Sequence, residues 1–381
     1  MSVKLARWGL HFYALPYRRE IVWANAVEKQ GVYALLVIEG DNGSRGVAEG
    51  TIKATWSGVS PNSLKAAFED FLMPKLQGVD ISAPAAVQAA LAGIPENKLA
   101  KGMIDSAAWT LHAATLGKPL WQLWSSAPDA TGEVDLTWAI TRQPPAAMAA
   151  EAAAVCVRDG FRTLKVKGGQ GLATDLQAMH AIRSRLRSAL GDAAGDAVIL
   201  YVDANSAYSR AEALDYVKAI ADAGATVAED PCSLWPDETF AALQAQSPIP
   251  LLVDRNCTSL ADAHAFLARA DAGKVALSTK PGRIGLSEAR AINDFAATHS
   301  AKVAIGLYAE SALGTLISLQ QAAALADSQT LVAAEQSFFQ ELTSQVLAQP
   351  LQLHDGRIRL PRDSDLAAAI DWEMVARFAL A

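Results

Sequence analysis

The sequence predicts an α/β protein: a (β/α) barrel of the TIM type with an N-terminal α+β capping domain. Four strand-like runs end on polar residues that lie 26, 25 and 26 positions apart, at Asp203, Glu229, Asp254 and Lys280. This spacing suits one strand, one return helix and two short loops, and the intervening segments have apolar residues at helical period. Polar residues at the carboxyl ends of parallel strands are typical of the catalytic face of a barrel.

The capping domain is predicted to span residues 1–130. Two strand-like runs meet at Asp41-Asn42-Gly43-Ser44, which is a strong hairpin signal. Helical periodicity then follows without alternating strands, as is typical of an α+β domain. A stretch rich in Ser, Pro, Asp and Gly at 125–133 is expected to link this domain to the next.

The barrel is predicted to occupy residues 131–345. Outside the central runs, the sequence predicts a first strand at 135–140, a seventh at 302–306 and an eighth at about 330–335. Eight strands are enough to close a barrel. The remaining segment, 346–381, is expected to pack back on the capping domain.

Composition argues against several classes of function. The 381 residues are 51% hydrophobic and 19% charged, as in an ordinary globular enzyme. A formal net charge of −7, without any cluster of Lys and Arg, argues against nucleic-acid binding. No apolar run approaches membrane-spanning length, and the N-terminus lacks the apolar core of a signal peptide. We therefore expect a cytoplasmic protein that acts without a membrane.

Three of the strand-end residues are acids. Asp203, Glu229 and Asp254 close three successive strands, and neighbouring strands lie roughly 5 Å apart, so their carboxylates can converge. Converging negative charges repel one another unless a cation lies among them, and ligation by oxygen alone selects Mg²⁺ or Mn²⁺. Each acid alone is also explained as a cap for the following helix. Their succession on one face favours a divalent metal site.

Lysines flank these acids. Lys165 and Lys167 lie two residues apart on one strand, so their side chains share a face, and Lys280 ends the sixth strand across the barrel mouth. Solvated lysines on a surface strand are the alternative interpretation. Because a nearby cation lowers the pKa of an ammonium group, Lys167 and Lys280 are candidates for catalytic acid–base groups. Lys165 is a candidate for a group that lowers the pKa of its neighbour.

Together these groups suit one type of reaction. Two amines on opposite sides of a divalent metal can remove or deliver a proton on either face of a carbon next to a carboxylate, while the metal stabilises the resulting enediolate. The residues therefore predict proton transfer α to the carboxylate of a small-molecule substrate.

The strand-end segments resemble those of a known family. LKVKGG, VDANSAY, AEDP, VDRN and TKPGRIG occur in the order and spacing of the enolase superfamily, and IGLYAESALGT is similar to a segment of its muconate cycloisomerases. The resemblance covers nearly the whole chain and points to the muconate lactonizing enzyme and mandelate racemase-like group. It implies a capped barrel enzyme that uses Mg²⁺ or Mn²⁺, and it implies a homo-oligomer because relatives commonly assemble.

The resemblance also implies contacts with the substrate. Glu49 lies in a turn, GVAEGT, that the family places near the barrel mouth, and Glu310 matches an acid that follows the seventh strand. Asn205 belongs to the D-x-N motif. Trp23 and Trp56 lie in loops of the first domain that the family uses to close the site, and ordinary packing is the alternative interpretation for both.

The chain departs from the family pattern around the expected substrate. Arg255 follows the third acid, where the cycloisomerases usually carry another acid, and Leu286 replaces a glycine. SFFQEL replaces a stretch that usually contains Gly-Pro, with Glu335 as a possible match to an acid there. No metal ligand or lysine is lost, so we expect Arg255 to contact the substrate without changing the class of chemistry.

The leading prediction is a muconate-type cycloisomerase that lactonises a cis,cis-muconate-like dicarboxylate, with Lys167 as the proton carrier. A racemase or epimerase, which needs Lys167 and Lys280 as an acid–base pair, is an alternative within the same chemistry. An o-succinylbenzoate synthase-like enzyme is another. A barrel that binds a carboxylate without turnover is the alternative from a different class.

Overall fold

The first domain is built on a three-stranded antiparallel sheet. A computed structural model describes residues 2–23, 26–125 and 130–380, and the sheet has the order β1-β2-β3. Gly43 has a φ of 82°, which glycine adopts without strain, and the β2–β3 turn confirms the predicted hairpin. The strands are β1 (Leu5–Val22), β2 (Val27–Gly40) and β3 (Arg45–Ile52).

Helices pack against this sheet. The longest of them approaches β3 at two glycines, where an added Cβ would overlap the carbonyl oxygen of Ala107 at Gly46 and the side chain of Met103 at Gly50. Glycine therefore permits this close helix-on-strand packing. The predicted linker at 125–133 lies partly outside the described residues. The helices are α1 (Ala54–Ser57), α2 (Pro61–Ala66), α3 (Pro84–Leu91), α4 (Lys98–Leu116) and α5 (Leu120–Trp124).

The second domain is a seven-stranded parallel sheet curled into a barrel, in the order β11-β10-β9-β8-β7-β6-β5. Helices alternate with the strands, which confirms the predicted fold class. The strands of this sheet are β5 (Thr137–Ile140), β6 (Thr163–Lys167), β7 (Ile199–Asp203), β8 (Ala228–Glu229), β9 (Leu251–Val253), β10 (Val275–Thr279) and β11 (Lys302–Ile305), and β4 (Glu133–Asp135) precedes them outside the sheet. The helices are α6 (Pro145–Arg158), α7 (Leu172–Leu190), α8 (Asp192–Ala197), α9 (Ala213–Asp222), α10 (Glu238–Gln246), α11 (Leu260–Leu267), α12 (Pro281–Ile284), α13 (Leu286–Thr298) and α14 (Ala312–Ala322).

The barrel is closed by an irregular segment, so the predicted eighth strand at 330–335 is wrong as a regular strand. The N–H groups of Leu331 and Glu335 donate to β11, each at 2.8 Å. On the other side, the N–H of Ala334 donates to the carbonyl of Asp135 at 3.0 Å, and Thr137 donates back to Ala334 at 2.8 Å. The segment thus bonds to both neighbours, but only through isolated bridges rather than a continuous ladder.

A small apolar layer fills the interior of the barrel. Its members come from successive strands and from the closing segment, as expected for inward-facing residues of a barrel. They are buried and pack together: Tyr201, Val227, Leu252, Ala276, Ala304 and Val332. Because the interior is filled, polar strand-end groups gather above this layer rather than within a channel.

The C-terminal segment contacts both domains. β12 (Arg357–Arg359) pairs antiparallel with β4 of the barrel domain. Further on, α15 (Trp372–Arg377) leads to backbone hydrogen bonds with β1, where Leu380 donates to Phe12 at 2.9 Å and Ala14 donates to Phe378 at 3.0 Å. Within the described residues, no helix has the length and apolar character needed to cross a bilayer.

Candidate active site

The strands end where the sequence places its charged residues. β6, β7 and β8 lie side by side, with Lys167 opposite Asp203 and Asp203 opposite Glu229 in the strand register. Asp254 and Lys280 directly follow β9 and β10. The structure therefore brings the predicted acids and lysines to the same carboxyl-terminal edge of the sheet.

Lys165 lies in a cage of carboxylates. Its side chain is 2% exposed, and its Nζ lies 2.7 Å from Glu229 Oε1, 3.1 Å from Asp203 Oδ2 and 2.6 Å from Glu335 Oε1. Burial opposes the charge on Lys165, but the three carboxylates outweigh it and hold the pKa of this ammonium well above its ordinary value. Lys165 is thus buried and surrounded by acids, which fits a charge-balancing role better than proton transfer.

The carboxylates around Lys165 have opposite pKa shifts. Burial would raise the pKa of Asp203, but the positive charges of Lys165 and Lys167 outweigh it and hold that pKa well below its ordinary value. For Glu229, burial and the nearby charge of Asp203 raise the pKa well above its ordinary value. The hydroxyl of Tyr201 donates to Glu335 Oε1 at 2.5 Å and stabilises the third carboxylate.

The two candidate catalytic lysines each contact a different carboxylate. Lys167 Nζ donates to Asp203 Oδ2 at 2.6 Å, and Lys280 Nζ donates to Asp254 Oδ2 at 2.5 Å. Both side chains remain partly accessible, with 25% and 12% of their surfaces exposed. They differ in this from Lys165 and can reach a bound molecule.

Asn205 holds Asp203 in place. Its backbone N–H donates to Asp203 Oδ1 at 2.8 Å and its side-chain amide donates to Asp203 Oδ2 at 2.9 Å. This bidentate contact requires a φ of 51° at Asn205, a left-handed conformation that asparagine tolerates better than most residues. The Asp and Asn of the predicted D-x-N motif therefore contact each other, and Asn205 also lines the cavity described below.

Asp230 is a buried residue of the site to which the sequence interpretation gave no role. Its two oxygens accept the backbone N–H groups of Asp254 at 3.2 Å and Arg255 at 2.9 Å, so it joins the ends of two neighbouring strands. Burial, followed by the charges of Asp254 and Asp203, raises the pKa of Asp230 to about 7. Its position directly after Glu229 in AEDP is the sequence signal that could have identified Asp230 as a residue of the site.

The acids fit an oxygen-ligated divalent cation by their chemistry. In the described part of the chain, no three His, Cys, Asp or Glu side chains form a preformed metal cluster, because the lysines pair with the acids instead. However, Glu229 Oε2 and Asp254 Oδ1 are buried without a hydrogen-bond partner among those residues. Buried carboxylate oxygens without partners are the ligands that Mg²⁺ and Mn²⁺ take up, so the metal role of Asp203, Glu229 and Asp254 stays a supported prediction.

A cavity of about 1050 Å³ lies over these strand ends, between the two domains. All three lysines and Asp254 line it from the barrel side, and Trp23 and Trp56 line it from the capping domain. The two indole rings pack edge to face, with 4.9 Å between their centroids. The two tryptophans therefore line the cavity, as expected for loops that close the site, and they also pack against each other.

An ion pair between a buried lysine and a partly buried glutamate lies beside the two tryptophans. Lys53, 2% exposed, bonds to Glu28, and its Nζ lies 4.1 Å from the ring centroid of Trp23 and 5.2 Å from that of Trp56. The indole N–H of Trp23 donates to the same Glu28 carboxylate at 2.9 Å. This cluster could not be predicted from the sequence, because nothing in the local pattern around Lys53 distinguishes it from a surface lysine.

Glu49 and Glu310 do not line the cavity, in contrast to the expectation that they contact substrate. Both are buried. The oxygens of Glu49 accept hydrogen bonds from the Ser311 N–H at 2.8 Å, from the Ser311 hydroxyl and from the Tyr13 hydroxyl. Glu310 accepts the Tyr308 N–H at 2.6 Å. Glu49 therefore joins the two domains. Glu310 stabilises the loop after β11 through Oε2, while its buried Oε1 has no hydrogen-bond partner among the described residues.

The fold and the site define a class of protein. It is a capped (β/α) barrel enzyme whose acids and lysines meet at the carboxyl ends of the strands, beneath a cavity that both domains line. Its two parts match two family models: residues 14–124 match the mandelate racemase / muconate lactonizing enzyme N-terminal domain, and residues 147–374 match the enolase C-terminal domain-like family. The chain belongs to this family of the enolase superfamily.

Individual relatives agree with this assignment. The chain is 27% identical to muconate cycloisomerase 1-2 of Acinetobacter lwoffii, over 88% of this chain and 85% of the relative. It is also 27% identical to an o-succinylbenzoate synthase of Geobacillus stearothermophilus, over 95% of this chain and 89% of the relative. A crystal structure of muconate lactonizing enzyme from Pseudomonas fluorescens complexed with muconolactone shares the fold, with a TM-score of 0.87, 23% identity and full coverage of both chains.

Proposed function

We propose that this enzyme transfers a proton next to the carboxylate of a small organic acid, and that its reaction is muconate-type cycloisomerisation of a cis,cis-muconate-like dicarboxylate. One observation carries the proposal. Lys167 and Lys280 end different strands, line the same cavity and each contact a separate strand-end carboxylate. Such an arrangement presents an amine to a bound molecule from two directions.

Each residue then has a role in the proposed reaction. Lys167 delivers the proton to the carbon next to one carboxylate while the second carboxylate closes the lactone ring, and it removes that proton in reverse. Lys280 stabilises the negative charge on the substrate, and Trp23 and Trp56 exclude water from the cavity.

Asp203, Glu229 and Asp254 would hold Mg²⁺ or Mn²⁺ beside the substrate. When bound there, the cation supplies electrostatic stabilisation of the charge that develops on the substrate carboxylate. Asn205 keeps the Asp203 carboxylate in one orientation through its two hydrogen bonds. Lys165 balances the charge of the buried acids beneath the site.

A racemase or epimerase is the second candidate. The same two lysines support it, because a reaction that inverts a carbon needs one group to remove the proton and another to return it from the opposite face. Relatives that share equal identity with this chain carry out different reactions by name, so they support the chemistry of proton transfer more strongly than one substrate.

Exchange of substrate protons with solvent tests the proposal. In D₂O with Mg²⁺ or Mn²⁺, we expect the enzyme to incorporate deuterium next to the carboxylate of muconolactone, and NMR would locate the label. A panel of N-acyl amino acids and dipeptides tests the racemase alternative in the same assay. The absence of exchange with every acid in both panels would contradict enzymatic proton transfer and favour a carboxylate-binding barrel.

A further inference from the structure

Arg255 presents an unpaired guanidinium group to the cavity. Its side chain is exposed, lines the cavity and makes no hydrogen bond or ion pair with any described residue. An arginine head group that lies in a cavity without a protein partner retains all five of its N–H donors for a ligand.

The other arginines of the cavity differ in this respect. Arg142 donates to the carbonyl of Gly168 at 2.7 Å, and Arg283 donates to the carbonyls of Cys257 at 2.9 Å and Asp254 at 3.1 Å. These hydrogen bonds hold loops together, and the Nε of Arg283, which has no partner among the described residues, is buried. Among the described arginines that line the cavity, Arg255 therefore has the guanidinium group most available to a ligand.

The backbone of Arg255 is fixed even though its side chain is not paired. Its N–H donates to the buried carboxylate of Asp230 at 2.9 Å, so the start of the side chain is held next to Asp254. A guanidinium group mounted on a fixed backbone beside the strand-end acids is placed to contact a molecule that also reaches Lys167 and Lys280.

A second cation reaches the same wall from the capping domain. Lys98, the first residue of α4, is exposed, lines the cavity and donates to the hydroxyl of Thr258 at 3.0 Å, three residues beyond Arg255. Glu96 also lines the cavity and makes no ion pair with either cation. The other two acids that line the cavity beside Arg255, Asp230 and Asp254, already accept hydrogen bonds from protein groups. Among the described residues of this wall, two cations and one acid outside an ion pair therefore remain, which suits a ligand group with a single negative charge rather than a dianion.

We propose that Arg255, assisted by Lys98, binds and orients the second carboxylate of the substrate, the one that is not held at the lysines and acids of the barrel. This inference rests on the proposed function, because it assumes that the first carboxylate lies at the lysines and acids of the barrel. A planar guanidinium group binds a carboxylate through two parallel hydrogen bonds, which gives direction as well as attraction. Arg255 then selects dicarboxylates over monocarboxylates of the same length.

Binding of two unreactive acids tests the proposal. Adipate and hexanoate have six carbons each and differ in the second carboxylate, and calorimetric titration of the whole protein with Mg²⁺ measures the affinity for each. We expect the protein to prefer adipate. Arg255→Gln should weaken adipate binding about tenfold or more while leaving hexanoate binding unchanged, since a charge-assisted hydrogen bond contributes on that scale.

Matched variants separate this role from general charge effects. Arg185→Gln removes an exposed arginine on α7 outside the cavity and should change neither affinity, whereas Lys98→Gln should weaken adipate binding by less than Arg255→Gln. Titration with inorganic phosphate tests whether Arg255 binds a dianion instead of a carboxylate.

Several results would overturn the proposal. The unmodified protein could bind adipate and hexanoate with equal affinity, or Arg255→Gln could leave adipate binding unchanged. Arg255→Gln could also weaken hexanoate binding as much as adipate binding, or weaken only the binding of phosphate. Failure of the proposed function has a separate signature: no solvent exchange with any acid, while the preference for adipate and its dependence on Arg255 persist.

Discussion

Ser311, in the loop after β11, donates two hydrogen bonds to Glu49 on β3. Its N–H donates to Glu49 Oε1 at 2.8 Å, and its hydroxyl donates to Glu49 Oε2. The pair joins the barrel to the capping domain at a fully buried point. Glu49→Ala would leave the Ser311 and Tyr13 donors buried without an acceptor, so we expect a loss of about 2–4 kcal/mol in the free energy of unfolding. Urea denaturation measures it.

A surface pair provides the comparison for Glu49. Glu39 on β2 pairs with Arg7, whose side chain is 76% exposed. Because water screens such a pair, Glu39→Ala should lower the free energy of unfolding far less than Glu49→Ala does. Equal losses in the two variants would show that the Glu49 contact carries no special stability.

Asp105 should make stability depend on pH. It lies on α4 and accepts the Ser287 N–H at 2.7 Å, and burial raises the pKa of its carboxyl from 3.8 to about 6. The folded state therefore binds this proton more tightly than the unfolded chain. That stabilisation is complete below pH 3.8 and is lost as the pH rises through 6. Between pH 4 and 6.5, the free energy of unfolding should fall by about 2 kcal/mol more than in Asp105→Asn. Parallel curves for the two proteins would refute this.

Glu229→Gln should remove metal binding while preserving the fold. The glutamine carbonyl can still accept from Lys165, which donates to Glu229 Oε1 at 2.7 Å, but its amide replaces Oε2 with a hydrogen-bond donor. A donor repels a divalent cation, so we expect Mn²⁺ affinity to fall at least about tenfold and exchange activity to disappear. Calorimetry with Mn²⁺ and circular dichroism test the two parts separately. Unchanged Mn²⁺ affinity would eliminate Glu229 as a ligand. Glu341→Gln is the control, since this cavity acid pairs with Arg19 instead.

Lys167 and Lys280 should differ in their effect on proton exchange. In a cycloisomerase only Lys167 carries the proton, so Lys167→Ala should lose all exchange, whereas Lys280→Ala should exchange slowly on the original face. In a racemase, each variant should keep exchange for one enantiomer and lose it for the other, because each amine reaches only one face. NMR with the separate enantiomers of a substrate distinguishes these patterns. The enantiomer-specific pattern would replace the cycloisomerase proposal with the racemase.

Lys53 and Glu28 should be energetically coupled beneath the tryptophans. Burial lowers the pKa of Lys53, and the Glu28 carboxylate opposes this shift. Removing one residue therefore leaves the charge of the other without its partner. We expect Lys53→Met to cost about 1–3 kcal/mol and to shift the tryptophan emission, since the cation leaves the Trp23 ring. Adding Glu28→Gln should recover part of the loss. Strict additivity in this double-mutant cycle would mean that the two residues do not act as a pair.

Much of the barrel could be predicted from the sequence alone. Even spacing between Asp203, Glu229, Asp254 and Lys280 identified repeated strand–helix units and the strand ends that face the site. These features follow from local chain physics: hydrophobic periodicity selects strand or helix, and parallel strands with helical returns bring their carboxyl ends to one edge. Even so, the closing segment at 330–335 resembled a strand in pattern and forms only isolated bridges.

Only the tertiary structure decided which charges meet. Glu335 lies against Lys165 because the barrel closes, Glu49 bonds to Ser311 and does not line the cavity, and the guanidinium group of Arg255 has no partner among the described residues. The sequence shows that each of these residues is charged, but pairing depends on which strands and loops become neighbours across long separations. An electrostatic interaction falls with distance and with exposure to water, so its strength is defined only once the fold has set both.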